Sequence, residues 1–346
     1  SAYLNRTPSS AGNRKTWTWS GWVKRSNLSL GTDLQLFSTN QQAGGTGWFS
    51  LFFTGADKIS FVYYNGTYYQ NVTNAAYRDC SSWYHVVFVF DTTQSTSTDR
   101  YKLYINGSLV TSYASSNYPP LNTNGSVNNS QIHYISKAGT SGTQYFDGYM
   151  AEVHFIDGTA LTPTSFGETG TYGEWKPILV TDTSGASYTS DLTYGTNGFY
   201  LPFDSTSALG ADRSPNDSNH WTVNNITADD QMVDSPTNNF ATWNPIQKDE
   251  ALPAAVRGFA QGNLQCTTTG LPYGAANGRI FGTIGVTSGK WYYEWVCTVD
   301  ASTVGSAIGW ADHDHSDEAA YYGDGTLRGT GSNESYGATW GIGDII

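Results

Sequence analysis

The chain has 346 residues, enough for two domains that each bury a core. Acidic residues outnumber basic ones 29 to 17 for a net charge of −12, so nothing like a basic patch exists for nucleic acid or an anionic bilayer surface. The longest apolar run, 86–90, is far short of the roughly 20 residues a membrane-spanning helix needs, and no membrane insertion is expected.

Charged residues make up only 13% of the chain while aromatics reach 15%. That mix suits short strands with polar turns and is poor for long helices, which draw on Ala, Leu, Glu and Lys. An all-β chain is expected. In the first segment, Trp17, Trp19 and Val23 alternate with Thr18, Ser20 and Lys24, the pattern of a half-buried strand. Strands at 48–53 and 58–64 follow, and Asn65-Gly66 turns the chain into 67–72. The run 83–91 (WYHVVFVFD) is a further strand. In 101–110 (YKLYINGSLV), Tyr101, Leu103 and Ile105 share a face and Asn106-Gly107 supplies a two-residue hairpin turn. A closing strand spans 148–157 (GYMAEVHFID), and Thr162-Pro163 suggests one short helical turn.

The segment 173–254 is rich in breakers. It reads as an irregular connector anchored by aromatics in 199–203, 221–226 and 240–243. Strand patterns return across 255–346, at 263–267, 279–284, 290–300 and 304–311. Those strands are too few for a stable small sandwich. Either the protein continues past Ile346, which is the expectation, or another chain completes the sheet.

These stretches carry a resemblance. TWTWSGWVKRSN, WYHVVFVFD, YKLYINGSLV and GYMAEVHFIDGTALTPTSF together resemble the laminin-G-like, concanavalin A-like jelly roll over residues 1–172. SGKWYYEWVCTVD, VGSAIGWADHD and ESYGATWGIGDII resemble a SPRY domain over 255–346, a second β-sandwich that lacks its usual closing strands and is therefore expected to be truncated. The order of jelly roll, aromatic connector and SPRY-like segment is similar to virion proteins of tailed bacteriophages. The resemblance implies a structural or host-attachment role at the surface of a virus particle, of tail-fibre or receptor-binding type. It implies other virion proteins as partners and a homo-oligomer, with a trimer, common among viral fibres, left open because no coiled-coil heptad enforces a threefold. A head-decoration or capsid-fibre protein without a specific ligand is the neighbouring alternative.

Catalytic signatures are sparse. A retaining glycosidase of this fold needs two carboxylates about 5 Å apart. The nearest stretch, Glu152-Val153-His154, has His in place of the second acid, so no enzyme is expected and a glycoside hydrolase is the remaining alternative. Cys80, Cys266 and Cys297 have neither disulfide nor zinc spacing. The acidic run 312–318 fails as a calcium loop because Asp317 stands where a tight-turn Gly belongs. Within it His313 and His315 alternate and could meet symmetry copies around a threefold axis as a transition-metal site, but a solvated acidic loop without metal is the expectation. Calcium on loop residues such as Asp91 or Asp157 is compatible with the sequence but not demanded by it, and no cofactor is expected. The best-supported site is the tip 63–69 (YYNGTYY), where alternate tyrosines must face outward. Tyr64, Asn65, Tyr68 and Tyr69 are the candidate carbohydrate-binding residues, with host surface glycan as the ligand. Flat rings suit the C–H face of a sugar and amides its hydroxyls.

Overall fold

The computed structural model describes residues 2–40, 47–140, 142–178, 192–246, 257–268, 280–298, 307–312, 318–329 and 334–346. Among them there is no α-helix, only strands and three 3-10 turns. The chain divides into two compact units. One comprises Ser1–Lys248 with Phe259–Cys266 and Ile280–Ile284, and the other comprises Asp249–Gly258, Thr267–Arg279 and Gly285–Ile346.

The first unit is an antiparallel β-sandwich. Its strands are β1 (Tyr3–Arg6), β2 (Thr16–Arg25), β3 (Leu34–Thr39), β4 (Trp48–Phe53), β5 (Lys58–Tyr64) and β6 (Tyr68–Ala76). There follow β7 (Tyr84–Asp91), β8 (Tyr101–Ile105), β9 (Ser108–Leu109), β10 (Tyr113–Ser116), β11 (His133–Ile135) and β12 (Gly148–Asp157). The later strands are short: β13 (Gly167–Thr169), β14 (Trp175–Pro177), β15 (Phe199–Leu201) and β16 (Thr222–Asn224). One sheet runs β10-β6-β5-β4-β3-β11-β1-β16 and the other β15-β12-β2-β7-β8-β9, with β13-β14 as a separate ribbon.

Period-two alternation fills the space between the sheets. Trp17 of β2 is the hub, stacked on Phe90 (5.2 Å, 7°) and meeting Phe49 edge-on at 5.2 Å. Leu36, Leu51, Phe53, Ile59, Phe61, Phe88, Leu103 and Val153 complete this core, all buried. Asn106 and Gly107 both adopt positive φ, 48° and 80°, the conformation that a right-twisted two-residue hairpin requires.

Strand β2 is buried on both faces, not on one as its alternation suggests. The reason lies downstream. Thr18 Oγ1 donates to Thr159 O and accepts from Leu161 N, and Lys24 reaches Asp234. Val87, Val89, Ile156, Phe166, Tyr194 and Tyr200 form a second apolar cluster on that outer side. The turn at Pro163–Ser165 forms as the sequence suggests, although the Thr162 hydroxyl meets Thr164 Oγ1 and makes no cap bond. Part of the connector is also sheet. Its residues 199–201 pair with β12 and 222–224 with β1, so the segment extends both layers of the sandwich.

The hairpin of β17 (Arg257–Ala260) and β18 (Gln265–Thr268) follows. The second unit carries β19 (Ala307–Ala311), β20 (Glu318–Tyr322), β21 (Thr326–Gly329) and β22 (Glu334–Ser335), paired in that order. Cys297 and Trp340 are buried together there, with Trp295, Tyr321 and Ile346 packed around them. The described part of 290–300 forms no strand run but a single bridge, Val296 to Ile345, and Trp291 and Tyr292 are exposed. Residues 281–284 likewise make only the bridge from Trp243 to Gly282.

Candidate functional site

The β5–β6 hairpin sorts its four tyrosines by register. Tyr63 lies opposite Tyr69 and Tyr64 opposite Tyr68, so one pair faces each side of the sheet. Tyr63 points inward, donates its hydroxyl to Asn124 O at 3.0 Å, and stacks on Tyr69 (6.1 Å, 18°). Tyr69 therefore belongs to the core side. Tyr64 and Tyr68 point outward with centroids 4.6 Å apart, and Tyr68 is 59% exposed. Asn65 sits at the exposed tip, its Oδ1 accepting from Thr67 N. Gly66 has φ +106°, which favours glycine at this bend.

A third ring completes the outward group. Trp48 pairs with Tyr64 across β4–β5, its ring 5.8 Å from Tyr64 and 6.1 Å from Tyr68. Beside these rings, Gln70 Nε2 donates to Ser60 Oγ at 2.9 Å and Asn117 Nδ2 donates to Tyr68 O at 2.6 Å. Ser50, Ser60 and Val62 on the same face are buried, leaving the rings as the feature presented there.

The same face carries a second aromatic group. Tyr134 lies opposite Ser38, and Ser38 opposite Ser50, which places Tyr134 two strands from β4. At strand spacing that is about 10 Å across and about 7 Å along from Trp48. Tyr3 packs against Tyr134 (6.0 Å) and Tyr145 (6.1 Å). The Lys137 ammonium rests 4.5 Å from the Tyr3 centroid and 4.7 Å from that of Tyr134, a cation–π arrangement.

Other sequence candidates fall elsewhere. Glu152 sits at a β-bulge in β12, at φ 50°, and accepts a hydrogen bond from Tyr200. Burial, with help from the nearby Asp204 charge, pushes its carboxyl up to about 7 against the lowering effect of Tyr200. His154 is buried, its Nδ1 2.9 Å from Tyr194 OH. The pair lies against the covered side of its sheet. The Asp91 oxygens are taken by Thr16, Thr93 and Gln94, and those of Asp157 by Asn13, Asn128 and Asn197. A cation at either carboxylate would have to displace these donors. Among the described residues no group of three or more His, Cys, Asp or Glu could hold a metal ion. His313 and His315 lie outside the described residues. Burial pushes the Cys80 thiol up to about 12, which leaves it unreactive.

No curated protein matches the sequence. Among solved structures, a Bacteroides ovatus protein described as a candidate carbohydrate binder aligns with TM-score 0.40 and 16% identity, over 65% of this chain and 56% of its own. The chain thus spans little more than half of that protein. Domain 4 of a Geobacillus stearothermophilus GH43 extracellular arabinanase, in complex with arabinotriose, gives TM-score 0.34 and 22% identity over 45% and 66%. The CBM40 of a Ruminococcus gnavus sialidase, bound to α2,3-sialyllactose, gives 0.32 and 18% over 45% and 80%. Residues 1–165 match the family model of the concanavalin A-like lectin/glucanases superfamily, and the sandwich they build is a concanavalin A-like jelly roll.

Proposed function

We propose that the jelly roll is a non-enzymatic carbohydrate-binding module whose ligand lies on the outer face of the eight-stranded sheet. The observation that carries this reading is the outward group of Trp48, Tyr64 and Tyr68 beside Asn65. The planes of Trp48 and Tyr64 lie 30° apart and Tyr68 stands edge-on to Trp48, an angled apolar patch built at low conformational cost, and amides at its edge suit sugar hydroxyls. The superfamily match over residues 1–165 supports the same class. The second group at Tyr3, Tyr134 and Tyr145 would let a glycan of several sugars run across the sheet.

In its finer form the proposal is a bacteriophage virion protein of tail-fibre or receptor-binding type, exposed on the particle and binding host surface glycan. It would act among other virion proteins and as a homo-oligomer, with a SPRY-like second domain. The support for this is the order of sequence segments described above. A glycan array probed with the wild-type chain and with Tyr68→Ala tests the binding claim. Selective binding lost in the variant is expected. No binding by the wild type would favour a decoration protein without a ligand.

A further inference from the structure

Lys24 is buried on the covered side of β2, its side chain 1% exposed. Its Nζ lies 2.7 Å from Asp234 Oδ2, 2.8 Å from Asn239 Oδ1 and 2.7 Å from Phe240 O. The other Asp234 oxygen accepts from Trp83 Nε1 at 2.9 Å. The amide of Asn239 is held from its far end, where Nδ2 donates to Ser81 O at 2.6 Å. The rings of Trp83 and Tyr149 stand 6.4 Å apart beside the group, with Tyr149 6.0 Å from Nζ. The Lys24 amine is thereby fixed within hydrogen-bond reach of both a carboxylate and a carboxamide carbonyl.

Each group suits a step of amide transfer. Asp234 Oδ2 stands 2.7 Å from the Lys24 nitrogen, placed to take a proton from it as the nitrogen attacks. The same nitrogen is held 2.8 Å from the Asn239 carbonyl oxygen, the kind of fixed placement that replaces a bimolecular encounter. Asn239 is exposed as a residue while its carbonyl oxygen reaches Lys24, so a leaving group on its nitrogen has a path to solvent.

We propose that Lys24 and Asn239 become joined by an intramolecular isopeptide bond in the folded chain, with Asp234 relaying the protons. The Nζ–Cγ bond forms and the Cγ–Nδ2 bond breaks. Of the three protons on the Lys24 ammonium, one stays on the new amide nitrogen. The other two pass by way of Asp234 to Nδ2, which leaves as ammonium. Nothing is oxidised or reduced, and Asp234 returns to its charged form. The bond would tie positions 215 residues apart, fastening the 234–240 segment onto β2.

The test is the intact mass of the purified, folded full-length chain, followed by digestion and peptide mapping. The expected result is a mass lower than the sequence mass by one ammonia, with a branched peptide containing both Lys24 and Asn239. Lys24→Arg and Asp234→Asn should restore the unbridged mass, and loss of the bridge should lower the thermal midpoint. A wild-type chain at full sequence mass with native near-UV circular dichroism would overturn the proposal. So would ammonia loss that persists in Lys24→Arg, since that would mark cyclisation of an asparagine elsewhere. Peptide mapping of the wild type decides the matter even where a variant fails to fold.

Discussion

The phenol ring of Tyr200 lies flat on the imidazole of His154, with centroids 4.2 Å apart and planes 6° from parallel, while its hydroxyl donates to Glu152. One tyrosine from the segment after the jelly roll thus covers two polar groups of β12. Burial raises the Glu152 carboxyl from 4.5 to about 7, so the folded state favours its protonated form. The contribution is fully present below pH 4.5 and is lost as pH rises through 7. Glu152→Gln keeps an acceptor for Tyr200 without the charge. At pH 8 it should be more stable than wild type by up to about 3 kcal/mol, with no gain at pH 4.5, as read by urea unfolding at both pH values.

The histidines impose the opposite slope. Trp175 Nε1 can only donate, and it donates to His85 Nδ1 at 2.9 Å. His85 therefore carries its proton on Nε2 and donates to Ser20 Oγ at 2.8 Å. His133 is the other tautomer, accepting from Asn128 N at Nε2 and donating from Nδ1 to Gln131 O. Burial pushes His85 and His154 down to about 3 and His133 to about 4. Their folded values lie below the unfolded 6.5, so stability is present above pH 6.5 and lost as pH falls through 4 for His133 and through 3 for His85 and His154. Each should add up to about 1.4 kcal/mol of loss per pH unit in that window. Ring NMR shifts of His85, His133 and His154 that titrate near 6.5 in the folded protein would contradict this.

Gly21 in the middle of β2 has no room for a side chain. A Cβ there would stand 2.7 Å from the Trp19 ring, which is fully buried. Gly21→Ala should destabilise by roughly 1–3 kcal/mol through displaced packing. Trp17→Ala should cost more, about 3–5 kcal/mol, because it empties the hub of the core. Denaturant midpoints of the two variants check the order.

If a glycan crosses the sheet, chain length should matter. Tyr134→Ala should leave binding of a mono- or disaccharide unchanged and weaken a longer oligosaccharide roughly tenfold, about 1.4 kcal/mol. Calorimetry with a graded oligosaccharide series reads this directly. Equal losses at every length would confine the site to one cluster.

Much of this architecture is legible in the sequence. The alternation of Trp17, Trp19 and Val23, the Asn106-Gly107 turn and the strand 148–157 all reappear, the last with its register broken by the bulge at Glu152. The tyrosine alternation at 63–69 is legible too, because a strand's side chains must alternate. What hid Trp48 was register. Only the pairing of β4 with β5 places it beside Tyr64, and no local spacing encodes that. Strands of three residues, Phe199–Leu201 and Thr222–Asn224, are too short to show a period and form because β12 and β1 offer them free edges. Lys24 reads as a solvent-facing residue, and its burial depends on a partner 210 positions away.

Calorimetric titration of the folded wild type with the strongest array glycan, beside Trp48→Ala and Tyr68→Ala of matched unfolding midpoint, tests the central claim most directly. The account predicts saturable binding by the wild type, weakened tenfold or more by each substitution. Undiminished affinity in both variants would place the sugar elsewhere and contradict it.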